Sequence, residues 1–197
     1  MILNSLISFV FIRNQIYFED HVERANKNYI NASLFNTPLQ RQLVSQMTHH
    51  KSEDERIDWR VNEQDNTPMY QHFKGVSIYS SIFNHNILDY YYDELKINMQ
   101  EESVSRYQST NARQNINSLF SIKYLMLKDY QNNVPTFFKT VKTEGQYQIY
   151  ENTLNLPSVR VTNQVYDSNS INTAIDREHA MIDGVVVNGE GKEYTDT

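Results

Sequence analysis

The sequence predicts one α+β domain, in which a mixed, mostly antiparallel sheet includes one parallel β-α-β unit and carries flanking helices. Three observations predict it. Short runs rich in Val, Ile and Tyr alternate with helical patterns through the first two thirds of the chain, as a crossover unit requires. The next stretch holds three strand-like runs in close succession, at hairpin spacing. No Pro- or Gly-rich linker, internal repeat or low-complexity tract interrupts the 197 residues, so one core is expected over residues 1–187. Residues 188–197 have almost nothing to bury and are expected to form a disordered tail.

Taken in order, residues 4–18 fit the helical and the strand period equally and are assigned to neither. At Asn36-Thr-Pro-Leu39, Asn36 or Thr37 caps a helix whose first position is Pro38, where a missing N–H has no intrahelical partner to lose. Leu39, Leu43, Val44 and Met47 then share one face. The polar tract 48–55 ends that helix, and Arg56-Ile-Asp-Trp-Arg-Val61 alternates polar and apolar side chains as a half-buried strand does, with Trp59 as its anchor. Gly75-Val-Ser-Ile-Tyr-Ser-Ser81 is a second strand by its Val, Ile and Tyr content, after which Asn84 or Asn86 caps a helix through Leu88, Tyr91, Tyr92 and Leu95. From Asn111 a further helix carries Ile116, Leu119 and Phe120, and Ile122-Lys-Tyr-Leu-Met-Leu127 reads as the next strand.

Two strands separated by helices usually pair through a right-handed crossover, so 76–80 and 123–128 are expected to be parallel neighbours. Strands at 136–141, 146–151 and 158–162 follow, with a turn at Thr143-Glu-Gly145 suited to an antiparallel hairpin. Asp167, Ser168 or Ser170 caps a last helix carrying Ile171, Ala174, Ile175 and Met181, stopped by Gly184 in a left-handed conformation. Val185-Val-Val187 adds an edge strand.

Composition narrows the function classes. Eighteen Lys and Arg against 24 Asp and Glu give a net charge of -6, and no basic run offers the local patch that phosphate neutralisation would need, so nucleic acid is not expected as a partner. The densest charged stretch, Lys51-Ser-Glu-Asp-Glu-Arg56, mixes signs as a solvated loop does. The absence of cysteine excludes disulfides and thiolate metal sites. No run approaches the roughly 20 apolar residues that span a bilayer, and the longest, Leu6-Ile-Ser-Phe-Val-Phe-Ile12, lacks the basic leader and cleavage site of a signal peptide.

Several residues invite a chemical reading, and each has a plainer one. His49-His50 with Glu53 and Asp54 could bind a metal, but adjacent side chains in a polar loop point apart. Asp176 and His179 have a spacing used by metals and by ordinary surface pairs, and the surface pair is favoured. Asp89 and Asp93 stand one turn apart, on what should be the solvated face opposite Leu88 and Tyr92. Ser80-Ser81 lies where a strand gives way to a helix, without the glycines of a nucleophile elbow. Tyr79, Tyr90, Tyr91 and Tyr92 could stack on sugar rings, although packing accounts for them first. Asn31-Ala-Ser33 fits a glycosylation pattern too short to be informative. No catalytic residue, metal or cofactor is therefore assigned to this chain.

Arg56-Ile-Asp-Trp-Arg-Val61, Gly75-Val-Ser-Ile-Tyr-Ser-Ser81, Leu119-Phe-Ser-Ile-Lys-Tyr-Leu125 and Tyr147-Gln-Ile-Tyr-Glu-Asn152 followed by Leu156-Pro157 resemble, in that order, the extracytoplasmic region of the YfhO-type bacterial membrane proteins. The matched order covers roughly residues 55–185, and residues 1–54 carry no matching motif. The resemblance implies a multi-spanning, GT-C-like glycosyltransferase that adds sugars to teichoic acids of Gram-positive cells from a polyprenyl-phosphate donor. It implies that the chain before Asn4 is leaving a membrane helix, and that acidic catalytic residues lie on membrane loops outside this chain. The domain would then sit on the extracytoplasmic face of the cell membrane in an accessory role, as an acceptor-binding surface or active-site cover. Its partners would be its own membrane-spanning domain and a teichoic acid polymer or lipid-linked sugar. Arg60, Tyr79, Ser80, Ser81 and Asn84, at strand ends, are the candidate substrate-binding surface. The alternative is a structural protein-interaction domain of the cell envelope with no carbohydrate role, which exposed aromatic patches would favour. A free-standing hydrolase would need a cleft with convergent polar groups, which no spacing here announces.

Overall fold

A computed structural model describes residues 37–61, 66–80, 82, 84–97, 106–107, 110 and 112–195, all but Thr37 within the compact unit 38–197. Residues 4–18 and the Asn31 pattern lie outside the described residues. Helix α1, Pro38–His50, begins at the predicted proline and buries Leu43, Val44 and Met47. Strand β1 is Arg56–Trp59. Two short helices follow, α2 at Thr67–Gln71 and α3 at His85–Asp89, the latter continued by a π turn at Tyr90–Glu94. Helix α4, Gln114–Leu119, precedes the seven-residue strand β4, Ile122–Lys128. Strands β5, Phe138–Glu144, and β6, Tyr147–Asn152, form the predicted hairpin. Its turn holds Gly145 at φ 60°, a conformation that only glycine adopts without penalty.

The domain is α+β, and the main sheet runs β1-β4-β6-β5. Strand β1 pairs parallel with β4, while β4-β6 and β6-β5 are antiparallel. Six of the seven residues of β4 are buried, so the strand is covered on both faces, and its run of Leu125, Met126 and Leu127 shows no alternation. On one face, α1 packs Leu43, Val44 and Met47 against Ile57, Trp59, Tyr124, Met126 and Ile149. On the other, Val76, Leu125, Leu127, Phe137 and Phe138 form a second cluster. Deep in the first, Gln40 donates to the Tyr147 hydroxyl at 2.9 Å. The Asn152 side chain ties the end of β6 to Ile122 O at 3.1 Å and accepts from the Leu154 N–H at 2.9 Å.

The sheet departs from the prediction in which segment closes the crossover. The parallel neighbour of β4 is β1 at 56–59, whereas the segment at 76–80 contributes only Ile78–Tyr79 (β2), paired with β3 at Arg106–Tyr107 in a separate two-stranded ribbon. The crossover rule constrains the hand of the connection but not which of two preceding strands enters the sheet. Ile57 and Trp59 present two apolar side chains to α1, and this burial decides for β1. Gly75 still reaches the outer side of β1 through a parallel bridge to Ile57.

A second correction concerns 158–162, which forms no strand. Its alternating Arg160 and Thr162 instead donate to the terminal carbonyls of helix α5, Ala174–Asp183. The third strand of this region is β7, Val165–Asp167, parallel to β8, Val185–Val187, in a small sheet. Asp167 caps a single 3-10 turn at Ser168–Ser170, and Thr173 caps α5 by accepting from the Asp176 N–H at 3.1 Å. Gly184 is extended, at φ -152°, rather than left-handed. A Cβ there would lie 2.6 Å from Gln164 O, so close approach of the chain, and not turn geometry, requires the glycine. In the segment expected as a tail, the Lys192 N–H donates to Val165 O at 2.9 Å, the Asp167 N–H donates to Lys192 O at 3.0 Å, and Tyr194 stands edge-on to Tyr166 at 5.3 Å.

Candidate functional site

An open groove of about 550 Å³ lies between α2, the 75–78 segment, the α3 helix with its π turn, and Phe120. Each wall follows from local sequence. Helix α2 begins with Pro68 near its first turn and ends after a single turn, where His72 adopts φ 56°. The Phe73 N–H then returns to Pro68 O at 3.1 Å. This hook presses the proline ring onto Gly75, where a Cβ would stand 2.3 Å from Pro68 Cγ. Glycine is therefore the residue that lets β1, Gly75 and α2 lie this close. The opposite wall starts at Asn84, whose side chain accepts from the Asn86 N–H at 3.0 Å and so starts α3.

The π turn widens the helix by one residue and places Tyr90 and Tyr91 against Phe120, with centroids 6.4 and 6.1 Å apart. Tyr91 belongs to the core, whereas Tyr90 is half-buried and donates to Met181 Sδ at 3.5 Å. Burial, reinforced by the Glu178 carboxylate, pushes the Tyr90 hydroxyl above its ordinary range. Arg56 brings a guanidinium to the groove and holds it by donating to Phe120 O at 2.5 Å. Asn66 and Asn86 add amides. The rim is apolar and uncovered, with Met69 66% and Ile87 38% exposed. The arrangement combines aromatic and aliphatic surface with a few polar groups, as binding grooves do, and among the described residues that line it no nucleophile is paired with a base.

The predicted surface residues divide around this groove. Ser80 and Asn84 adjoin it in sequence, but both are engaged locally. The Ser80 hydroxyl donates to Ile82 O at 2.9 Å and accepts from the Ile82 N–H at 3.2 Å. Tyr79 is placed by its backbone in β2, and Ser81 lies outside the described residues. Arg60 is not among the lining residues. Its Nε donates to the buried Asp58 at 2.7 Å, four residues along the chain from Arg56 and beyond the end of β1. Sequence reasoning missed Arg56, Asn66, Met69 and Asn86. The legible signal was an exposed methionine and tyrosine directly after Thr67-Pro68, where a core helix would be apolar on one face only.

Asp89 and Asp93 are exposed, and His49 and His50 end α1 at the surface. Among the described residues no three His, Asp or Glu side chains gather as metal ligands would. In the 176–179 cluster, the inward member is Glu178, which accepts from Arg113 Nε at 2.5 Å while Arg113 also donates to Leu95 O. No helix among the described residues is long and apolar enough to cross a membrane.

Comparison with known proteins agrees with the motifs. No solved structure matches the chain. It is 33% identical over 172 residues to "Uncharacterized protein YfhO" of Bacillus subtilis (strain 168), a match covering 84% of this chain and 20% of that protein. The chain thus spans about one fifth of the length of this curated relative. The model of the family described as "Bacterial membrane protein YfhO" matches residues 1–197. By this full-length match and by its relative, the chain belongs to the YfhO family of bacterial membrane proteins.

Proposed function

We propose that this chain is an extracytoplasmic portion of a longer multi-spanning protein that transfers sugars from a polyprenyl-phosphate donor to teichoic acids. In this reading the domain performs no chemistry. It holds the acceptor polymer, or shapes its path, while catalysis takes place on the membrane-embedded part. Family membership and the one-fifth coverage of the relative support the placement within a larger membrane protein. The observation that carries the binding role is the groove itself, where the Tyr90 ring, the Asn66 and Asn86 amides and the Arg56 guanidinium line one open channel. Rings stack on sugars, amides bond hydroxyls, and a guanidinium suits a polymer phosphate.

The test is Asn86→Ala combined with Met69→Glu in the full-length protein, with sugar content measured on teichoic acid isolated from the cells. Reduced glycosylation at unchanged protein abundance is expected. Full glycosylation would remove the acceptor-binding role. A second reading, a cell-envelope interaction domain without carbohydrate, is favoured by the exposure of Met69 and Ile82. It is distinguished by variants that lose an envelope protein partner while teichoic acid keeps its full sugar content.

A further inference from the structure

Residues 159–165 run beside the end of α5 and the start of β8. Arg160 donates from its two terminal nitrogens to Ile182 O and Met181 O, each at 3.0 Å, and Thr162 donates to Asp183 O at 3.1 Å. The Val185 N–H then donates to Gln164 O at 3.0 Å, and Val165 stands opposite Val185. The even-numbered side chains thereby satisfy helix-end carbonyls that have no intrahelical donor. Val161 is 100% exposed, Val159 78%, and the Val165–Val185 pair 41% and 47%, while Arg160, Thr162 and Asn163 between them are exposed as well. Among the described residues, the backbone groups of 159–161 form no hydrogen bonds.

Capping α5 explains Arg160 and Thr162 but gives no reason for Val161 between them or Val159 beside them, where any polar residue would suit water better. One exposed valine would mean nothing, whereas a row fixed in place by polar anchors marks a contact surface. Valine has few rotamers to lose on docking, so such a ridge is ready to bind at low entropic cost.

We propose that this valine ridge is where the domain docks onto the remainder of the longer protein that carries it, through an apolar face of that same polypeptide. The inference rests on the reading that the chain is part of such a protein, and it adds the surface used. Four fifths of the curated relative lies outside the match, which supplies an occupant. The lipid surface is a poorer fit, because the chain carries a net charge of -6, against anionic headgroups.

The absence of cysteine from the chain allows a direct test. In the full-length protein in its membrane, freed of any other thiols, Val159→Cys, Val161→Cys and the reference Val141→Cys are labelled with a soluble maleimide. Val141 is 49% exposed on the distant edge strand β5. Labelling at 159 and 161 slower than at 141 by at least about tenfold is expected, the protection given by roughly 1.4 kcal/mol of docking. Equal rates at all three positions overturn the proposal. A photo-crosslinking residue at Val161 should join the domain to its own polypeptide, and adducts formed only with lipid or with a separate protein also overturn it. Equal thiol rates alongside lost glycosylation in the groove variants would sink the ridge and leave the acceptor reading standing. Protected thiols with full glycosylation would do the reverse.

Discussion

Substituting Gly75 by alanine should destabilise the domain by about 2 kcal/mol, within the range for overpacking a rigid site. The new methyl would lie 2.3 Å from Pro68 Cγ and 2.9 Å from Pro68 Cβ, where ordinary contact begins near 3.4 Å. A pyrrolidine ring cannot rotate away, so either α2 or the 75–78 segment must move by about an ångström. Both line the groove, and Gly75 also bridges Ile57 on β1, so the movement strains the sheet edge as well. With a urea dependence of about 2 kcal/mol per molar, typical for this size, the unfolding midpoint should fall by about 1 M at unchanged slope. The companion variant Pro68→Ala removes the ring that the methyl meets. In that background Gly75→Ala should cost much less, giving a favourable coupling well beyond the roughly 0.5 kcal/mol within which independent substitutions add. If the two substitutions are additive, the explanation of Gly75 by the Pro68 ring is wrong, and an unshifted midpoint for Gly75→Ala alone would sink it outright.

Leu43→Ala, at a fully buried position between α1 and the sheet, should cost about 3 kcal/mol in the same assay. Glu178→Ala strands the guanidinium of Arg113 in a mostly buried site and should cost about 3 kcal/mol, whereas joint replacement by Glu178→Leu and Arg113→Met should recover most of that loss in thermal or urea unfolding. Burial first, and then the carboxylates of Glu178 and Glu151 respectively, raise the hydroxyl pKa of Tyr90 and Tyr124 in the folded state. Their contribution is therefore complete below the ordinary tyrosine range near 10 and is lost as pH climbs through the folded values, so stability should fall on the alkaline side. Tyr90→Phe should remove one late-ionising hydroxyl from the absorbance titration at 295 nm, and an unchanged late phase would refute the assignment.

Most elements were legible because their signals are local. Pro38 and the Leu43, Val44, Met47 stripe mark α1, and Gly145 marks the hairpin between β5 and β6. The partner of β4 was not legible, since β1 and the 75–81 run both look like strands and only packing under α1 separates them. The 158–162 run alternates as a strand would, yet its polar members bond helix carbonyls, a contact invisible to a period count. Gly184 was expected for its backbone freedom and is required for its lack of a side chain. At the groove, Asn84 was legible as a helix cap, whereas Arg56 and Met69 come together only through the Pro68–Gly75 contact, which has no sequence signature.

The pairing of β1 with β4 has a consequence for biogenesis. Arg56 meets Ile122, so an N-terminal strand must wait for the ribosome to deliver a segment made much later, whereas the β5-β6 hairpin closes on itself. Until β4 emerges, Ile57 and Trp59 have no sheet to join, and during that interval a chaperone would find them accessible.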